Sequence, residues 1–400
     1  MQPNHPLLAP RIAELRPTAV NAILAEVRQL QAQGRSPVSL MRGEPDLRTP
    51  EHIVEAAVRA LQAGRTAYPD NRGELSLREA VAEKLQRDNG LRYDAGSEIL
   101  VTSGATFGIY ATLAALVSDG DHVLLPDPIY DAYFSPIRLA GGQPQPVRAE
   151  LRDGRFVLDA SALDAAFTPR SRVLLLNTPW NPVGTVLTRG ELEVIAAFVE
   201  RKNLWLVSDE IYEAINYDGH RHVSPAVLSD TIRARTILVN SLSKTYAMTG
   251  WRVGYCAGPG EIINAMLLVL QQSSRGPATF VQDAAAAALR GPQQCVADLR
   301  AEFARRRAVV LETLGEIRKV RVLPPEGGFF AMLDVHEFGR PSDEIRRELL
   351  RDHGVVVVHG AAYGVGAEGT LRVSFASGGD NLSLGLARLR DGLNRLAAES

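Results

Sequence analysis

The sequence predicts an α/β protein, with a mostly parallel sheet sandwiched by helices and a smaller α+β domain after it. Three observations carry this. Between about residues 98 and 290, short apolar runs alternate with helical patterns, which is the signature of parallel strands joined by crossover helices. After Gly291 the order changes to a long charged helix followed by mixed strands and helices. A length of 400 residues is also too great for one simple core and fits one large and one small domain.

The elements follow in order. Residues 19–31 have helical spacing and are assigned to the smaller domain. A strand at 98–102 gives way to a helix at 106–117. Residues 122–125 form a strand and 130–139 a helix. Apolar runs at 172–176, 204–207, 236–239 and 253–256 are bounded by turn residues, with a helix at 191–201 between two of them. The run 284–288 is alanine, a strong helix former. Beyond it come a helix at 296–317, strands at 320–323 and 329–333, a further helix, strands near Val355 and Leu371, and a last helix at 382–396. Open parallel sheets bind ligands at the carboxyl ends of their strands.

Composition excludes several classes. The chain is 46% hydrophobic and 22% charged, as ordinary globular proteins are. A net charge of −2 gives no footprint for nucleic acid or an anionic membrane. No stretch approaches the roughly 20 apolar residues of a membrane span. Met1–Pro10 lacks the basic and apolar segments of a secretory signal. Cys256 and Cys295 make no disulfide framework and belong to no metal-ligand cluster. A cytoplasmic protein is expected.

Four segments at strand ends offer one chemistry. Thr102-Ser103-Gly104-Ala105-Thr106 lets the backbone approach an anion at a helix N-terminus, unless Ser103 simply caps that helix. Asn177 to Gly184 contains two X-Pro steps that hold the chain extended and present Asn181 as an amide donor. Leu204 to Tyr212 places Asp209 directly after an apolar strand, where it either caps the next helix or pairs with a cationic ring nitrogen; Tyr212 follows three residues on. Ser241-Leu242-Ser243-Lys244, with Arg252 beyond, combines an amine with a phosphate clamp. Only four of the 44 basic residues are lysines: Lys84, Lys202, Lys244 and Lys319. Arginine cannot attack a carbonyl as a primary amine near neutral pH. Lys84, Lys202 and Lys319 sit among charges and read as solvated, whereas Lys244 lies in a small hydroxyl-rich turn. An amine, an acid for a ring nitrogen, an amide donor and a phosphate cradle are together what pyridoxal phosphate needs.

In order and spacing, Asn181-Pro-Val-Gly, Asp209-Glu-Ile-Tyr212, Ser241-Leu-Ser-Lys244 and Arg252-Val-Gly resemble the fold-type I, class I/II aminotransferases. The likeness runs from Gly43-Glu44-Pro45-Asp46 to 371–376. It implies a seven-stranded sheet, and an N-terminal arm with part of the small domain at 1–45. It further implies a large cofactor domain at 46–290 and a small C-terminal domain at 291–400. It also implies pyridoxal 5'-phosphate, a ping-pong exchange between an amino acid and a 2-oxo acid, and a homodimer with shared active sites. By the same resemblance, Lys244 carries the internal aldimine, Asp209 meets the pyridine nitrogen, and Asn181 and Tyr212 meet the ring's phenolic oxygen. Tyr130 stacks on the ring; Ala105, Thr106, Ser241, Ser243 and Arg252 hold the phosphate; Tyr68 reaches the phosphate of the partner. Arg372 binds the substrate α-carboxylate, with Gly43 and Asn181 beside it. Without the resemblance, Arg372 on its alternating strand reads equally as a surface residue.

The chain departs from that pattern in places. Val183 stands for a usual threonine and Pro69 for another, while Thr106 replaces a lysine found in some aspartate-preferring members. Arg42 and Arg275 are candidates to read a second substrate carboxylate, and His359 is given no catalytic role. The same scaffold also supports carbon–sulfur lyases and aminocyclopropane-carboxylate synthases. Some transcription regulators use it as a ligand-sensing domain.

Overall fold

The computed structural model describes residues 9–399, so residues 1–8, on which most of the signal-sequence reading of Met1–Pro10 and the first part of the N-terminal arm fall, lie outside the described residues. A seven-stranded sheet has the spatial order Ile99–Thr102, Gly254–Ala257, Thr236–Ser241, Trp205–Asp209, Ser171–Asn177, His122–Asp127, Gln143–Arg148. All adjacent pairs are parallel except those made by Gly254–Ala257, which runs antiparallel to both neighbours. Six strands therefore end on one edge, and the reversed strand begins there.

Alternation along the strands sends residues to two helical layers. Leu175 and Val207 pack with Ile109, Leu113 and Met266 of the helices Ala105–Leu116 and Gly260–Gln271. Leu174 and Leu206 pack with Leu192, Ile195 and Phe198 of the helix Arg189–Lys202. That helix starts on a capping box between Thr188 and Glu191, which satisfies two otherwise free backbone donors. Ile99, Val101 and Tyr255 instead meet the helices Glu51–Gln62, Leu75–Asn89 and Thr279–Arg290.

A second, antiparallel sheet has the order Arg321–Leu323, Phe330–Asp334, Thr370–Ser374, Val358–His359. The helices Gln294–Leu314, Ser342–His353 and Gly379–Glu399 bury Phe303, Val310, Ile345, Leu349, Leu386 and Leu393 in its core. Val38–Ser39 pairs in parallel with Val355–Val356. Ile23 and Val27 of the helix Ala19–Ala32 pack against Met332, Leu350 and Val358. The segments 19–32 and 38–39 are thus built into this second layer. No described helix is long and apolar enough to cross a membrane.

The expected elements occur with small shifts. The expected helix at 130–139 is instead a 3-10 turn, Asp131–Tyr133, running into the helix Phe134–Leu139, with Tyr130 as its N-terminal cap. Lys84, expected to be solvated, is buried; its ammonium donates to Glu213 and to Asn89 Oδ1 at 2.7 Å.

Gly254 shows how closely the reversed strand must fit. A Cβ there would fall 2.7 Å from Asn240 O and 3.0 Å from both Ala105 N and Gly104 C, all of them backbone atoms. Gly254→Ala should therefore lower unfolding free energy by about 1–3 kcal/mol, read as a lower urea midpoint. An unchanged midpoint would contradict this packing.

Candidate active site

One cavity of about 1070 Å³ is lined by Gly43, Ala105, Thr106, Tyr130, Asn181, Asp209, Tyr212, Ser241, Ser243, Lys244, Arg252 and Arg372. These are all the residues to which the sequence reading gave a cofactor or α-carboxylate role, except Tyr68. The strand alignment explains the convergence. Ala105, Tyr130, Asn181, Asp209 and Lys244 follow or close strands that end on the same edge, while Arg252 precedes the reversed strand, whose Gly254 lies opposite both Thr102 and Ser241.

At one end the helix Ala105–Leu116 opens into the cavity with no side-chain cap on its first turn. Ser103, considered as that cap, instead shares a hydrogen bond with Ser274 Oγ at 2.8 Å. Gly104 has φ +88°, and a Cβ there would sit 2.5 Å from Arg252 Nη2. Ser241 Oγ donates to Val253 O at 3.0 Å and lies 2.8 Å from Ser243 Oγ. Free N–H groups, a guanidinium and a serine hydroxyl thus surround a space suited to a phosphate.

Asp209 ends its strand and is buried. No helix follows it directly, so the helix-capping alternative fails. Its Oδ2 accepts from Tyr133 Oη at 2.7 Å and its Oδ1 from Ile211 N–H at 3.3 Å. Burial pushes its carboxyl up to about 6, against the two hydrogen bonds. Tyr133 was not singled out from the sequence. Its only signal is the spacing Tyr130-x-x-Tyr133, and the two rings meet edge to face at 5.3 Å.

Lys244 lies half-buried on the cavity wall, donates to Gly43 O, and has its Nζ 5.7 Å from the centre of the Phe329 ring. Burial pushes its ammonium down to about 8, with Glu44 opposing and Arg252 and Arg372 reinforcing the shift.

Arg372 is a buried residue and not the surface arginine that alternation alone allowed. Its Nη1 donates to Asn181 Oδ1 and its Nη2 to Met41 O, each at 3.1 Å. The rings of Phe330 and Tyr363 lie 4.1 and 4.9 Å from its guanidinium carbon. Its Nε is buried without a partner, a donor awaiting an acceptor. The segment carrying Asn181 is a turn and not extended: Trp180 N–H donates to Thr185 O, and Gly184 N–H to Trp180 O.

Tyr68 lies outside this cavity, 84% exposed, with Arg275 stacked 5.2 Å from its ring centre. Arg42 lines the cavity mouth and is paired with Glu44 at 2.9 Å. His359 and Arg275 do not line the cavity.

A cavity with a half-buried amine, a buried acid and an uncapped helix at strand ends defines a group-transfer enzyme that handles an anionic, carbonyl-bearing ligand. The family described as aminotransferase class I and II matches residues 35–386, and the chain belongs to that family. It is 38% identical over 376 residues to the aspartate aminotransferase of Bacillus sp. strain YM-2, covering 93% of this chain and 95% of that one. It is 40% identical over 370 residues to aromatic-amino-acid aminotransferase 2 of Thermococcus litoralis, covering 91% and 94%. The crystal structure of the aspartate aminotransferase from Rhizobium meliloti superposes with a TM-score of 0.93 at 34% identity, over 97% of this chain and 99% of the other. The chain is an aminotransferase.

Because the folded chain binds the Lys244 proton less tightly than the unfolded chain, this group's contribution to stability rises with pH from about 8 towards 10.5. With only four lysines, an NMR titration of 13C-lysine-labelled, ligand-free protein should give Lys244 a midpoint near pH 8. A midpoint above 10 would contradict the site's electrostatics.

Proposed function

We propose that this aminotransferase works with pyridoxal 5'-phosphate held covalently by Lys244, and moves an amino group from an L-amino acid to a 2-oxo acid in two half-reactions. The observation that carries the reading is the placement of Lys244, Asp209 and the uncapped helix Ala105–Leu116 around one cavity. When bound, this cofactor supplies an aldehyde that exchanges for the substrate amine, and a ring that accepts the electron pair left at the α-carbon.

The chain's own residues do the rest. Backbone N–H groups of Ala105 and Thr106, with Ser241, Ser243 and Arg252, take the phosphate. Asp209 sits as an anion against the ring nitrogen at neutral pH, since its carboxyl ionises above about 6. Tyr130 covers a ring face. Tyr212 and the Nδ2 of Asn181 face the phenolic oxygen. The Asn181 oxygen is committed to Arg372, so its amide is turned to leave that nitrogen as a donor.

Arg372 receives the α-carboxylate, with its unpartnered Nε as one donor and Gly43 lining the same wall. This clamp fixes which bond of the α-carbon faces the amine. Lys244 Nζ, deprotonated above about pH 8, takes the α-proton and returns it. Asp209 and Lys244 together set the working range towards mildly alkaline pH.

We further infer a cytoplasmic homodimer in which the partner subunit's Tyr68 completes each phosphate cradle. An 84% exposed tyrosine held by Arg275 outside its own cavity supports this. The two separate sheets support a large cofactor domain at 46–290, an N-terminal arm with part of the small domain at 1–45, and a small C-terminal domain at 291–400.

Initial-rate plots at several oxo-acid concentrations should give the parallel lines of a ping-pong enzyme. Arg372→Gln should lower kcat/KM for every amino donor by about 10²–10³-fold, the scale of a lost buried charge pair, while the bound cofactor's absorption persists. Intersecting lines, or a wild-type kcat/KM in the variant, would contradict the reading.

A further inference from the structure

We propose that Tyr133 is a positioning residue for Asp209: its phenol holds the carboxylate in its anionic form and aimed at the cavity floor. The inference rests on the cofactor reading above and goes beyond it, because Tyr133, although it lines the same cavity, spends its hydroxyl on Asp209.

The geometry is specific. One turn, Asp131–Tyr133, with Tyr130 as its N-cap, supplies both rings. Tyr130 precedes the turn with extended backbone, and its ring braces that of Tyr133 edge to face at 5.3 Å. Tyr130 takes the cavity wall, and the Tyr133 hydroxyl reaches Asp209 Oδ2 at 2.7 Å. That distance is typical of a phenol donating to a charged oxygen. With Ile211 N–H on Oδ1, each oxygen of the carboxylate has one fixed donor, so the group cannot swing about its χ2 axis without losing a bond.

The surroundings otherwise oppose ionisation. Asp209 is faced by Glu210 in its own segment, by Tyr133 from the 3-10 turn, by Tyr130 and Tyr212, and by Cys256 from the reversed strand; the facing cation is Lys244. Tyr133's own proton is held far above the usual tyrosine range, first by burial and then by Asp209, so it remains a donor throughout the working pH. A donor that never titrates lowers the proton affinity of its acceptor. Removing it shifts Asp209 towards its neutral form, in which it no longer balances a ring cation.

This gives a pH signature that loss of packing would not produce. The dissociation constant of pyridoxal phosphate is measured by equilibrium dialysis for wild type and Tyr133→Phe between pH 6 and pH 9. The variant deletes one oxygen and keeps the ring against Tyr130. The ratio of the two constants should be about tenfold at pH 6, equivalent to about 1.4 kcal/mol. It should fall towards one at pH 9, where Asp209 is ionised in both proteins. A ratio that is unity throughout, or raised equally at both ends, overturns the role of Tyr133. A wild type that retains no pyridoxal phosphate overturns the cofactor reading on which it rests.

Discussion

A carboxylate buried at the end of a strand costs several kcal/mol unless its charge is compensated, and the Asp209 environment supplies that compensation in pieces. Tyr133 and Ile211 N–H hold the two carboxylate oxygens, and Thr178 N–H and Asn177 Nδ2 hold the backbone carbonyl, each at 3.0 Å. The same bonds tie the segment leading to Asn181 to the strand that ends at Asp209. Fixing one acid therefore fixes the cavity floor and one of its walls. The charge that remains unbalanced faces the cavity, where a cationic ring would complete it.

A second tie joins the two sheets. Arg372 comes from the antiparallel sheet, yet its guanidinium bonds Asn181 Oδ1 beyond the seven-stranded sheet and Met41 O near the chain start. Arg306 joins the segment around Asp46 to the end of the antiparallel sheet, donating to Asp46 Oδ1 and to Ala376 O. Asp46 Oδ2 in turn accepts from Gly378 N–H. These charge-assisted bonds set Gly43 across from Lys244. They leave the Arg372 Nε buried without a protein acceptor.

Much of this was legible in the sequence, because it depends on local pattern. Apolar runs marked six of the seven strands, and the four strand-end motifs contain nine of the twelve candidate residues that line the cavity; Gly43, Tyr130 and Arg372 came from the family resemblance. The parts that were not legible depend on tertiary context. Gln143–Arg148 carries Pro144 and Pro146, which argue against a strand unless it lies at the edge, where it does lie. The reversed direction of Gly254–Ala257 has no local signature, although it is what brings Arg252 beside Gly104 at the start of the helix Ala105–Leu116. Lys84 looks solvated among charged neighbours, but its partner Glu213 is 129 residues away. Tyr133 reads as one more aromatic on a helix until Asp209, 76 residues on, is placed beside it.

The central claim is a covalent bond between the Lys244 side chain and the cofactor. Cofactor-saturated protein should be reduced with borohydride, digested and mapped by mass spectrometry. One pyridoxyl-modified peptide is expected, and the modified residue in it is Lys244. A stable label on Lys84, Lys202 or Lys319 instead, or no label in saturated protein, would contradict it.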